Sequence, residues 1–321
     1  MTKSRITIIG LGRIGGSIGL ALKQAKLDAE VIGHDKDHGV AGRALKRGAV
    51  DKTEWNLINS CDGAGLIVLA LPLDAIRMTL DALKSNVASG VIITDTAPTK
   101  APVLEWAKAL PSAHFVGGHP VLASHLPVTH GIDNADATIF RGATYCLTPA
   151  MSADENAVNT IASFATMLGA KPYFLDAAEH DGLSAGVEHL PALLATALAS
   201  STTASAGWRE LSKLSGSTFR AATELLPTDA SGAQEFLAHR ADLARWLGVM
   251  IDELKMLREL LDRADSDALK AKLESAIEKR EQWLSGKTGA DESPALDYTS
   301  LTQTTSHFFL GGLAARMPKR K

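Results

Sequence analysis

Only two cysteines occur in the 321 residues, Cys61 and Cys146. That is too few for a disulfide framework or a cysteine-based metal site, and a reducing cytoplasm is the expected compartment. Neither charge sign is in excess: 33 Lys and Arg against 36 Asp and Glu leave a net −3. Without a basic surplus there is no electrostatic footprint for nucleic acid or for an anionic membrane as a partner. An uninterrupted apolar run is also missing. The stretch after Lys3 and Arg5 resembles an export signal only superficially, because Arg13 and five glycines from Gly10 to Gly19 break it. Residues 190–207 are long enough to suggest a membrane span, but Pro191 and several Ser and Thr make a core helix the better reading. What remains, 45 % hydrophobic and 21 % charged residues, is the balance of a soluble globular chain with room for two domains.

Short apolar runs at 6–9, 31–33, 66–71, 91–94, 114–116 and 144–147 predict buried strands. Helix-like stretches at 14–24, 39–47, 73–83, 101–109 and 153–168 separate them. Strands alternating with helices imply βαβ units and a parallel sheet covered on both faces. After Asp176 the strand signal ends. Residues 177–206 read as one long helix interrupted at Pro191, and Leu243, Leu247, Met250, Leu254, Leu257 and Leu261 form a stripe at alternating spacings of four and three. A returning helix follows through Leu269, Leu273 and Ile277. The stripe packs either within the chain or against a second copy, and a homodimer built from this half is the expectation. The division expected is 1–175, an α/β Rossmann-type domain; 176–285, an all-α domain; and 286–321, an extension ending in the basic RMPKRK.

The sharpest motif opens the chain. Strand ITII runs into Gly10-Leu11-Gly12-Arg13-Ile14-Gly15 and then into an amphipathic helix. The first glycine permits the turn, the second lets the backbone approach a pyrophosphate, and the third lets helix pack on strand, while the helix N-terminus supplies N–H groups to the phosphates. Asp35, 20 residues beyond Gly15, stands where a ribose-binding carboxylate belongs. Such a carboxylate accepts from ribose hydroxyls and repels a 2′-phosphate, so NAD is the expected cofactor. Arg13 is either a pyrophosphate or adenine contact or a solvated first-turn residue.

Among ten histidines, His119 stands out, directly after a predicted strand in VGGHPVLAS, at the sheet edge where ligands bind. Here the sequence resembles the prephenate and arogenate dehydrogenase family. The resemblance is carried by GLGRIGGSIGLAL, LIVLALPL, ITDTAPTK, GGHP, the pair His180-Asp181 with EHLP, and TFRAATEL before a helical pair. It implies a Rossmann-type domain joined to an all-helical dimerisation domain, the site lying in the cleft between them. The implied reaction is the NAD-dependent oxidative decarboxylation of prephenate, a step of tyrosine biosynthesis. His119 is then the base at the ring hydroxyl and Arg220 the partner of the substrate carboxylate. Leu71 and Pro72 fall on the cofactor side and Ser124 on the substrate side.

Several positions depart from the family pattern. Pro98 stands where a serine hydroxyl usually lies beside the histidine, leaving Thr96 or Thr99 as replacements, with Thr99 the expected donor. Leu122 and Ala123 alter the element after His119, Ala192 replaces a second histidine, and LSGS precedes the segment of Arg220. Arogenate, another cyclohexadienyl carboxylate, or a non-catalytic NAD-binding role remain as alternatives. His180 and His189, nine residues or about 900° apart on a regular helix, are expected on opposite sides. His189 then faces the cleft as a catalytic residue, and His180 caps the helix with Asp181.

Overall fold

The computed structural model describes residues 4–151, 153–228 and 232–286; the expected extension therefore lies, beyond Gly286, outside the described residues. The apolar runs fold into one sheet of eight strands. In chain order these are β1 (Ser4–Ile9), β2 (Ala29–His34), β3 (Lys52–Thr53), β4 (Leu66–Leu69), β5 (Ile92–Asp95), β6 (His114–Val121), β7 (Thr144–Pro149) and β8 (Lys171–Phe174). Their spatial order is β3-β2-β1-β4-β5-β6-β7-β8. All neighbours run parallel except β6 and β7. The all-parallel expectation thus fails at one pair. Strands β3 and β8 carry no apolar run: β3 is two exposed residues, and β8 reads KPYF with alternating exposure.

Helices α1 (Arg13–Gln24), α2 (His38–Lys46), α3 (Leu57–Ser60), α4 (Leu73–Leu83), α5 (Ala101–Ala107) and α6 (Glu155–Met167) belong to this half. Alternation along the central strands divides the core in two. Ile8 and Val68 point into one apolar cluster with Phe164, while Ile9, Ile67 and Ile93 point into another with Ile76. The chain builds β1 to β3 outward in one direction and β4 to β6 in the other, so a topological switch point lies between β1 and β4.

The segment joining β6 to β7 is fastened onto α1 and α2. Arg13 Nη1 donates to the carbonyls of Pro127 and Thr129, Asp136 N–H donates to Ser17 Oγ, and Arg47 donates to the Ala135 carbonyl. Ile132 is buried there, and a Cβ on Gly16 would come within 2.4 Å of its side chain.

Beyond β8 the chain is helical: α7 (Ala177–Ser184), a π-helical turn (Ala185–His189), α8 (Leu190–Thr203), α9 (Trp208–Leu214), α10 (Ser217–Thr223), α11 (Gly232–Ala238), α12 (Arg240–Asp262) and α13 (Ser266–Leu284). The interruption expected at Pro191 falls before it, because proline is tolerated in the first turn of a helix and here opens α8. The stripe on α12 splits: Leu243 is buried with Leu247 and Met250 against it, whereas Leu254 and Leu261 are exposed. The stretch Ala177–Thr203 is long and apolar enough to cross a bilayer, yet it carries the buried polar residues His180, Asp181 and His189.

Candidate active site

The loop after β1 is shaped by backbone. Gly10 adopts φ +89°, and a Cβ there would lie 2.2 Å from the carbonyl oxygen of Ala70, just after β4. A Cβ on Gly15 would lie 1.9 Å from the carbonyl oxygen of Gly10. Both glycines are thus required by packing. Gly12, which opens α1, differs: a Cβ built on it meets nothing within 4 Å. That open space over a helix N-terminus, with no acidic residue in the first turn, fits a pyrophosphate. Leu71 and Pro72 border the same turn from the end of β4, across the switch point, and Leu71 Cδ2 comes within 2.8 Å of the Cβ built on Gly10. Leu11 and Ile14 flank the turn, Leu11 in the core and Ile14 packed against it.

Asp35 follows β2. Its Oδ2 accepts from Leu11 N–H at 2.8 Å and its Oδ1 from Asp37 N–H at 2.9 Å, so the carboxylate also braces the nucleotide loop. Arg13 is not a freely solvated first-turn residue. Its guanidinium is held by the two loop carbonyls of the β6–β7 connection, and its Nε is buried without a partner.

His119 lies inside β6 and not after it, because antiparallel pairing with β7 carries that strand onward and sets His119 opposite Cys146. Pairing with the shorter β5 ends at Val116, so His119 still stands beyond the carboxyl ends of the parallel strands. The two glycines before it have a steric cause. A Cβ at Gly117 would meet Thr148 Oγ1 at 2.3 Å, and one at Gly118 would meet the Asp95 carbonyl at 2.7 Å. Below them, Lys100, wholly buried, pairs with Asp95 and donates to the Gly118 carbonyl at 2.7 Å.

The helical half closes over this edge with three more imidazoles. His180 Nε2 sits 3.0 Å from His119 Nδ1, and His180 Nδ1 donates to Asp181 at 2.8 Å. Asp181 also accepts from the backbone N–H groups of Lys100 and Ala101, at 2.7 and 2.8 Å. Burial works against its charge, but hydrogen bonds from His180, Ala101 and Lys100 hold its carboxyl below the usual range. With Asp181 ionised, donation runs from His119 Nδ1 to His180 Nε2 and from His180 Nδ1 to Asp181, leaving His119 Nε2 as the acceptor. Burial, followed by repulsion from His180, Lys100, His189 and His239, pushes His119 well below its ordinary pKa, so the ring is neutral at pH 7.

His180 is therefore no helix cap. That role belongs to Asp176, which accepts from the N–H groups of Ala178 and Glu179. The expectation of opposite sides fails because the π-helical turn adds one residue per turn, taking about 100° from the rotation between His180 and His189. His189 is buried at the same cluster. Its ring lies 4.0 Å from that of His239, and its Nε2 is 3.4 Å from the Pro98 carbonyl. Burial, then repulsion from His239, lowers it to about 4.

Thr99 does not stand free beside His119. Its buried hydroxyl pairs with His239 Nε2 at 2.8 Å. At the position of Pro98, the nearby hydroxyl comes from Ser184, which donates to the Pro98 carbonyl at 2.9 Å. Ser124 is exposed in the loop after β6. Arg220 is exposed on α10, with its Nε 3.6 Å from Glu224, and among the described residues no hydrogen bond or ion pair joins it to the histidines. Two site residues escaped the sequence reading. His239 opens α12 without a motif around it. Glu188 was visible in EHLP, and its Oε1 lies 3.3 Å from His119 Nε2.

A nucleotide loop at a switch point and a neutral, oriented imidazole on the same sheet edge define a dinucleotide-dependent dehydrogenase. Residues 18–174 match the family described as prephenate dehydrogenase, nucleotide-binding domain, and residues 176–275 match prephenate dehydrogenase, dimerization domain. The chain belongs to the prephenate dehydrogenase family. Prephenate dehydrogenase of Bacillus subtilis is 30 % identical over 274 residues, covering 83 % of this chain and 72 % of its own. Cyclohexadienyl dehydrogenase of Zymomonas mobilis is 28 % identical over 296 residues, covering 90 % and 98 %. In three dimensions the arogenate dehydrogenase of Synechocystis superposes with TM-score 0.68 at 26 % identity, over 87 % of this chain and 99 % of the other. Prephenate dehydrogenase from A. aeolicus, solved with hydroxyphenyl propionate and NAD+, shares the fold with TM-score 0.78 at 21 % identity, over 88 % and 99 %.

Proposed function

We propose that the protein catalyses the NAD-dependent oxidative decarboxylation of prephenate to 4-hydroxyphenylpyruvate, in the cytoplasm and as a homodimer. The observation that carries the reading is the His119 relay: Nδ1 is tied through His180 to Asp181, and Nε2 is left as the basic atom. The loop from Gly10 to Gly15 would hold the pyrophosphate, with Leu71 and Pro72 bordering it, and Asp35 would take the ribose hydroxyls. NAD, when bound, supplies the hydride acceptor.

The ring hydroxyl gives its proton to His119 Nε2 as the hydride leaves the carbinol carbon. Asp181, through His180, steadies the imidazolium so formed. Loss of carbon dioxide then aromatises the ring, and Nε2 returns the proton to the phenolate oxygen. Arg220 is read as the partner of a substrate carboxylate, and Ser124, exposed in the loop after β6, as a second substrate contact. The exposed pair of Arg220 with Glu224 is worth only about 0.3–0.5 kcal/mol, so the guanidinium is free to turn to a carboxylate. His189 and Thr99 act on the other side of the site, as the wall against which His239 is held.

The dimerisation reading is supported by the apolar residues left exposed on the helical half, among them Leu254, Leu261, Leu273 and Ile277. The test is NADH formation by purified protein offered prephenate and arogenate in parallel. Turnover of prephenate is expected; NAD binding without turnover of either substrate overturns the reading.

A further inference from the structure

The relay accounts for Nδ1 of His119 and leaves unexplained what faces Nε2. That atom is 3.3 Å from Glu188 Oε1. The glutamate sits in the π-helical turn, which sets it towards the sheet while its neighbour His189 faces Pro98 and His239. Its side chain keeps 30 % of its exposure against 8 % for His119, so it is the member of the pair nearer to solvent. Nε2 has one lone pair. A carboxylic acid beside it donates into that lone pair, whereas a carboxylate can only accept.

We propose that Glu188 is the positioning residue that governs the Nε2 face of His119. As a carboxylate it leaves Nε2 open to the substrate hydroxyl and steadies the imidazolium; as a carboxylic acid it donates into Nε2 and blocks the base. No proton is gained or lost overall, since the one taken from the hydroxyl returns to the phenolate. Glu188 only sets whether Nε2 can receive it. The groups facing Glu188 are His119 on β6, Cys146 on β7 and Glu235 on α11; those facing His119 are His180, His189, His239 and Lys100. Burial, with repulsion from Glu235 added, raises Glu188 to about 7, so the switch falls in the neutral range.

The proposal rests on His119 being the base, and two measurements separate its failure from failure of that reading. In the first, kcat and KM for prephenate are followed from pH 6 to pH 9. Wild type should lose roughly tenfold in kcat per pH unit below about 7 and level off above it. Glu188→Gln, whose amide still donates into Nε2, should be flat across this range and at least about tenfold slower than the wild-type plateau, with KM within about twofold. Glu188→Asp should restore the inflection. In the second, the His119 ring resonance is titrated by NMR in the full chain, where wild type should show a step near pH 7 that the glutamine variant lacks. An inflection near 7 that survives in Glu188→Gln, or a His119 resonance indifferent to Glu188, overturns the proposal. A wild type that turns over no substrate overturns the activity, while the NMR titration still decides the pair.

Discussion

Burial of a neutral histidine stores an acid sensitivity that can be read from His189 alone. Its folded pKa of about 4 lies below the unfolded value of 6.5. Between those values the unfolded chain binds more protons than the folded one, so stability contributed by neutral His189 is full above about pH 6.5 and drains away as pH falls towards 4. The difference of about 2.5 pKa steps is worth about 2 kcal/mol lost by pH 5 and about 3 kcal/mol by pH 4. His189→Asn keeps a side-chain donor for the Pro98 carbonyl but removes the titration. Urea unfolding at pH 7 and pH 5, at fixed protomer concentration because association contributes to stability, should show wild type losing about 2 kcal/mol more than the variant. Equal losses in both proteins would refute the argument, because the buried ring would then be charged or solvated in the native state.

Other outcomes follow from the same geometry. His119→Asn should preserve NAD affinity by fluorescence titration and lower kcat by about 10²–10⁴, the usual share of general acid–base catalysis; near-native kcat would move the base elsewhere. Wild type should favour NAD over NADP by about tenfold or more in kcat/KM, since Asp35 repels a 2′-phosphate. Asp35→Ser should narrow that gap and also weaken NAD itself, because the bond from Leu11 N–H to Oδ2 is lost; steady-state kinetics with both cofactors checks it. Leu254→Glu places a charge on the exposed part of the α12 stripe and should raise the dimer dissociation constant at least about tenfold in light scattering. An unchanged dimer would put the interface on another face.

The sheet half was readable because its signals are local. An Ile- and Val-rich run is a buried strand wherever it lies, and the glycine loop carries its reasons, packing at Gly10 and Gly15 and open space at Gly12, within one short segment. Strand β8 was not readable, since Lys171-Pro172 begins it and its partner β7 decides its existence. His119 stands out through its glycines, but its strand reads as ended before it because nothing in GGHPV announces the antiparallel neighbour. The deeper miss is His180. Helical arithmetic on 177–206 assumed one period throughout, and a π-helical turn changes that period without a residue type that signals it. Thr99 and His239, 140 positions apart, belong together only once α12 is docked on the sheet edge, and no pattern in either segment refers to the other.

The chain from Asp181 through His180 to His119 has a geometric meaning beyond orienting a ring. Its first two members ride on α7, and its last is built into β6. Asp181 reaches back to the backbone of Lys100 and Ala101, so the link is made twice, once through imidazoles and once through amides. A small slide between the two halves stretches both at once, and a hydrogen bond weakens steeply as its angle and length leave the ideal range. Alignment of the halves and readiness of the base are therefore one variable. Any displacement of α7 relative to β6, wherever along the helical half it originates, thus changes the base without touching its ring.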